Sequence, residues 1–143
     1  MFGIESSRYD GPGYSPVVDY DTWRVAFLNS STDYLPENID FIQFHRYTDE
    51  VFVLIEGECV LFSFGDDEEQ PSSPRAVKMQ PGVMYNVKKG VWHTHALGPN
   101  TKVLIVENRD TTNDNSPIIY LSVGQREELK AAWIKAVADA ASK

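Results

Sequence analysis

A single cysteine, Cys59, occurs in the 143-residue chain, so no intrachain disulfide can form and a disulfide-stapled secreted scaffold is excluded. Basic residues are outnumbered as well: 13 Lys and Arg face 21 Asp and Glu, for a net charge of −8. Nucleic-acid binders need basic surface to displace counterions from phosphates, so no nucleic acid is expected as a partner. No apolar run approaches the ~20 residues that span a bilayer, so no membrane association is expected either. The first residues, Met1-Phe2-Gly3-Ile4-Glu5, show no basic start followed by an apolar stretch, which reads as no secretory leader. These deficits point to a soluble cytoplasmic protein. Histidine is scarce too, and its three positions, His45, His93 and His95, become informative for that reason.

What is present is 42% apolar sequence, enough for the core of one domain over residues 1–143. Residues 1–20 carry the breakers Gly11-Pro12-Gly13 and Ser15-Pro16 and read as an N-terminal arm. Residues 22–123 read as β structure. Trp23 to Leu28 alternate, and Ile39 to Tyr47 form a second strand with Phe41, Gln43 and His45 on one face. Glu50–Ile55 and Glu58–Phe64 flank Glu56-Gly57 and read as a hairpin. Further strands are expected at Arg75–Met79, Met84–Val87, Val91–Ala96, Lys102–Glu107 and Ile118–Val123, with a solvated acidic loop from Gly65 to Pro74.

The period then changes. Leu129, Ala132, Trp133, Ala136, Val137 and Ala140 recur at helical spacing, so residues 124–142 read as an amphipathic helix. Ser122 and Gln125 have the spacing of its capping box. Trp133 is expected to pack on the β-domain. Val51 to Ile55 and Val103 to Val106 are apolar on both strand faces, whereas a sheet with one wet face should alternate. The arm, the helix or a second subunit must cover the outer face, and a homodimer is expected. Many short strands with glycine turns and one late helix indicate an all-β sandwich or barrel of the jelly-roll kind.

Within that class, His45-x4-Glu50-x6-Gly57 resembles the second half of the first cupin motif. Gly82-x5-Lys88-x-Gly90-x2-His93 resembles the second, with Lys88 where the family usually has proline. The resemblance covers roughly the middle third of the chain. It implies a cupin jelly roll with a metal held by Gln43, His45, Glu50 and His93, where Gln43 replaces the usual first histidine. Imidazole and carboxylate ligands of this kind suit Zn, Mn, Fe or Ni. On a strand His95 shares the face of His93, so it either replaces the missing ligand or contacts substrate. Glu50 is the sharpest case, because an unpaired carboxylate on an inward face is costly and needs a metal, a cation or a catalytic task.

Arg75-Ala76-Val77, Pro81-Gly82, Asn86 and Gly90-Val91-Trp92-His93 resemble the ureidoglycolate lyase family over about residues 45–115. Val87 stands where that family has tyrosine, and Thr94-His95-Ala96-Leu97 is one residue longer than its usual continuation. The resemblance implies elimination on a small hydroxy or ureido acid. Glu50 or His93 would be the base, and His45 the acid or a metal ligand. Arg75, Lys78, Lys88 and Arg24 are candidate partners for the substrate carboxylate, with Arg the better bidentate clamp. Phe52, Trp92 and His95 are expected at the small-molecule pocket with Phe41. The alternative is a non-catalytic cupin that binds a small sugar or organic acid.

Overall fold

In the computed structural model, which describes residues 2–141, two antiparallel five-stranded sheets pack face to face. Met1, at the start of the expected arm, and Ser142, at the end of the expected helix, lie outside the described residues. The first sheet has the order β1 (Gly13–Tyr20), β2 (Trp23–Asn29), β9 (Lys102–Asn108), β4 (Glu50–Glu56), β7 (Met84–Val87). The second has the order β10 (Ile118–Tyr120), β3 (Phe41–Gln43), β8 (His93–Leu97), β5 (Cys59–Ser63), β6 (Arg75–Lys78). The inward side chains alternate along each strand, as the two-residue pleat requires. Ala26, Leu28, Phe52, Leu54, Val103 and Ile105 from the first sheet meet Cys59, Leu61 and Leu97 from the second in one buried cluster.

Three expectations need correction. Residues 13–20, read as arm, are strand β1, paired along β2 from Gly13↔Asn29 to Tyr20↔Trp23. Pro16 suggested a break, but β1 is an edge strand with a bulge between Pro16 and Val18, where a missing N–H is tolerated. The strand expected over Ile39–Tyr47 is only Phe41–Gln43, and His45 lies in the loop after it. The expected hairpin does not form, because β4 belongs to the first sheet and β5 to the second. The Glu56–Glu58 turn is a corner between layers: β4 already has β9 and β7 as neighbours, so the chain after it must cross.

The C-terminal helix α1 (Val123–Ala141) begins with the expected capping box. Gln125 N donates to Ser122 Oγ at 3.1 Å, and Ser122 N donates to Gln125 Oε1 at 2.8 Å. Trp133 packs as expected. With Leu129, Ala132, Ala136 and Val137 it covers the outer side chains of the second sheet, among them Val60, Phe62 and Ala96. The helix therefore does not cover the strands that are apolar on both faces. In register across the outside of the first sheet run Val25, Val106 and Val51, and beside them Phe27, Leu104, Val53 and Met84.

Gly57 makes the corner possible. Its φ is +88°, and an added Cβ would stand 2.5 Å from Thr101 Cα, while Thr101 Oγ1 accepts from the neighbouring Glu58 N at 2.9 Å. Gly57→Ala is expected to lower stability by about 3 kcal/mol or more, from overpacking plus backbone strain, read as a fall in the urea midpoint. A loss below about 1 kcal/mol would contradict so tight a corner.

Candidate metal centre

The two sheets place three predicted residues at one point between them. Glu50 opens β4 and faces inward with Phe52 and Leu54, and His93 opens β8 opposite it. His45 comes from the loop after β3, which backbone bonds from Phe44 N to Pro117 O (3.2 Å) and Arg46 N to Asn115 O (3.1 Å) hold against the β9–β10 connection. Ser116 Oγ lies 2.8 Å from His45 Nδ1 and fixes the ring. His45 Nε2 and His93 Nε2 then lie 3.1 and 3.0 Å from the same oxygen, Glu50 Oε1. All three residues are buried.

The tautomer of His93 follows from its other nitrogen. Nδ1 lies 2.9 Å from the Val91 carbonyl, and a carbonyl only accepts, so the proton sits on Nδ1. In neutral His93 the Nε2 lone pair would then face the Glu50 carboxylate, and the two would repel. The contact needs either a proton between the two groups or a metal ion among the three residues. Burial alone would raise the Glu50 carboxyl, but the hydrogen bonds and charges of His45 and His93 hold it below the usual carboxylate range. For His45 burial acts downward, and the hydrogen bond and charge of Glu50 outweigh it, raising the imidazole.

These donors fit a divalent metal. One ligand atom from each of His45, Glu50 and His93 lies within 4.8 Å of the others, a set of two imidazole nitrogens and a carboxylate oxygen. The Val91 carbonyl on the far side of His93 is the kind of outer partner that orients a ligating imidazole. Gln43 is the register partner of His93 and lines the same cavity. His95 also lines it, yet its ring nitrogens are not among the clustered ligand atoms. His95 Nδ1 is buried without a hydrogen-bond partner, and burial lowers its pKa to about 4, so it is neutral at pH 7.

The other predicted residues are placed elsewhere. Trp92 lies on the opposite face from His93, packed on Phe44 with its Nε1 donating to Asp67 O at 3.0 Å. The alternation that turns His93 inward turns Trp92 to the other face of the sheet, and it does not line the cavity. Phe52 is core, with its ring 6.3 Å from that of His93 and 5.8 Å from that of His95. Arg75, Lys78 and Lys88 do not line the cavity. Arg75 is exposed on β6, Lys78 Nζ lies 3.7 Å from Glu58, and Lys88 Nζ is bonded to Asp49 at 2.9 Å.

Glu107 is a site residue that the sequence reading misses. Its Oε1 accepts from Tyr14 Oη at 2.7 Å and from Arg24 Nε and Nη2 at 3.2 and 2.8 Å. Its Oε2 is buried with no hydrogen-bond partner and lies 4.0 Å from His45 Nε2. Burial, then the charge of Glu50 and a carboxyl–carboxyl contact with it, push the Glu107 carboxyl up, against the pull of Tyr14 and Arg24. A signal exists: Val103, Ile105 and Glu107 share the inward face of β9, so Glu107 poses the same question as Glu50. Tyr14 is hidden when residues 1–20 are read as an arm. The whole cavity is about 850 Å³, and its walls carry Arg24 against Asp33, Asp40, Glu50 and Glu107.

Asp49 braces the approach to His93. Its carboxylate accepts from Lys89 N (2.9 Å), Lys88 Nζ (2.9 Å) and Asn86 Nδ2 (3.0 Å), and Gly90 N donates to His45 O at 2.9 Å. The backbone bond from Lys89 contributes most to lowering the Asp49 pKa to about 2. A lowered carboxylate stabilises the fold above its unfolded pKa and loses that effect as pH falls towards its folded pKa. Asp49→Asn is therefore expected to cost about 1 kcal/mol at pH 7, discounted for exposure, and nothing near pH 2. Chemical unfolding across pH 2–7 checks this, and a cost independent of pH would contradict it.

No family sequence profile matches the chain, and no curated protein does. Solved structures match in fold. A cupin-2 domain protein from Shewanella frigidimarina is 24% identical with a TM-score of 0.50, covering 70% of this chain and 85% of that one. A Tyr-to-Phe variant of Streptomyces PAC13 with uridine is 12% identical with a TM-score of 0.55, covering 86% and 90%. The QdtA 3,4-ketoisomerase from Thermoanaerobacterium thermosaccharolyticum, a double mutant in complex with TDP, is 14% identical with a TM-score of 0.53, covering 70% and 68%. The two antiparallel sheets, the late helix and the inward His45–Glu50–His93 cluster thus stand on a cupin fold.

Proposed function

We propose that this chain is a small single-domain cupin enzyme that holds a divalent metal through His45, Glu50 and His93 and carries out an elimination on an uncharged, hydroxylated small molecule. The observation that carries the proposal is the His93 geometry, with Nδ1 committed to the Val91 carbonyl and Nε2 aimed at an ionised Glu50. When bound, Zn, Mn, Fe or Ni would supply Lewis-acid polarisation of a substrate oxygen. His45, Glu50 and His93 then act as holding residues rather than as the acid–base pair implied by the sequence resemblance. Proton transfer falls to atoms facing the cavity beyond them, of which His95 Nδ1 and Glu107 Oε2 carry no hydrogen bond.

The substrate class shifts for a physical reason. A ureido acid such as ureidoglycolate needs a cation for its carboxylate. Of the four expected cations only Arg24 lines the cavity, and Glu107 occupies it. Acidic walls oppose a second carboxylate, and about 850 Å³ lies in the range of drug-sized ligands. Sugars and nucleosides meet both conditions, and uridine occupies one of the similar folds.

We further propose a cytoplasmic homodimer formed through the outer face of the first sheet. The registered rows Val25–Val106–Val51 and Phe27–Leu104–Val53–Met84 carry no charged side chain, so copies with a net charge of −8 can meet there without repulsion. The unpaired, buried Cys59 suits a reducing setting.

Elemental analysis of purified protein is expected to find one transition metal per chain, and His93→Ala and Glu50→Gln are each expected to weaken it at least about tenfold. Absence of any metal, together with no thermal shift from added Zn, Mn, Fe or Ni, would sink the proposal. Turnover of ureidoglycolate would restore the acid as substrate. Sedimentation at micromolar concentration is expected to give a dimer that Leu104→Glu splits, and a wild-type monomer would contradict the interface.

A further inference from the structure

We infer that Glu107 is a specificity residue that accepts a hydrogen bond from a sugar hydroxyl of a ribosyl-bearing, uncharged substrate. This rests on the uncharged hydroxylated substrate proposed above. Glu107 is 6% exposed, and its two oxygens have opposite surroundings. Oε1 is saturated by Tyr14 and by two nitrogens of Arg24, which fix the carboxylate plane. Oε2 accepts no hydrogen bond from a protein N–H or O–H, faces the Glu50 carboxylate and lies 4.0 Å from His45 Nε2, beside the metal centre. A buried acceptor without a partner costs about 1–3 kcal/mol, so the bound state is expected to supply the donor. A hydroxyl does so, and a carboxylate or phosphate oxygen, being an acceptor only, does not.

Other lining residues of the same cavity have the opposite character. Phe41, Ile118 and Tyr120 line it and are 42%, 43% and 68% exposed, and the Phe41 and Tyr120 rings meet edge-on with centroids 6.3 Å apart. An apolar aromatic rim beside a polar interior accommodates a ligand with a flat apolar end and a hydroxylated end. Asp33 and Asp40 on the cavity wall repel a phosphate, so the geometry fits a nucleoside better than a nucleotide.

The test compares uridine with 2′,3′-dideoxyuridine by calorimetry on zinc-loaded protein, wild type and Glu107→Gln. The amide oxygen that Glu107→Gln introduces can still accept from Tyr14 and Arg24, so the fold is expected to persist, and zinc at saturation is expected to remain one per chain. The expected result is that wild type binds uridine at least about tenfold more tightly than the dideoxy analogue, and that Glu107→Gln binds both alike. Equal binding of the two ligands by wild type overturns the role of Glu107, needs no variant, and leaves the uncharged-substrate proposal standing. Loss of zinc stoichiometry in Glu107→Gln also overturns it, by making Glu107 a ligand. Failure of uridine to bind overturns the ribosyl class, and ureidoglycolate binding in the same titration would overturn the uncharged-substrate proposal itself.

Discussion

One hydrogen bond organises the site: the Nδ1–H of His93 donates to the carbonyl of Val91, two residues earlier in its own chain. That bond is local, spanning two residues of one chain segment. It leaves Nε2 to face the interior, where Glu50 waits on the opposite sheet. An inward lone pair beside an ionised carboxylate requires a proton between them or a metal ion, and His45 arrives at the same oxygen from a third direction.

The wider cavity has the same charge problem. Glu50 and Glu107 are both buried, and among the described residues Arg24 is the cation that lines the cavity with them. Arg24 balances one carboxylate and Tyr14 adds a further donor, while the other carboxylate is left to the two imidazoles. A bound dication would offset this surplus of negative charge. Stability and chemistry are linked here, since the sandwich tolerates its buried carboxylates through the groups that make the centre useful.

Much of this is legible in the sequence, for reasons that can be named. Two-residue alternation puts Glu50 and His93 inward, and the change of period locates the helix and its cap at Ser122 and Gln125. The same rule, followed one residue further, turns Trp92 outward and Glu107 inward. What alternation cannot give is the pairing of strands. Gly57 reads as a hairpin turn by composition, and its role as a corner between sheets depends on Thr101, which arrives from distant sequence. Strand β1 is obscured because its Pro16 occupies an edge, where the missing N–H costs little. The placement of the expected carboxylate partners is hidden for a related reason: the sequence shows that Arg75, Lys78 and Lys88 are cations, but only the folded arrangement shows that they lie outside the cavity that Arg24 lines.

The central claim is that His45 and His93 present their Nε2 atoms to a metal, with Nδ1 of His93 kept protonated by Val91. Long-range 1H–15N NMR of the imidazole rings tests it most directly, because it reports each nitrogen separately. On zinc addition at pH 7, Nε2 of His45 and His93 should move to metal-bound positions, Nδ1 of His93 should stay protonated, and both nitrogens of His95 should keep a neutral-ring pattern. If the spectra of His45 and His93 are unchanged by zinc and both rings remain doubly protonated, the cluster is a buried ion pair and the metal-centre account is wrong.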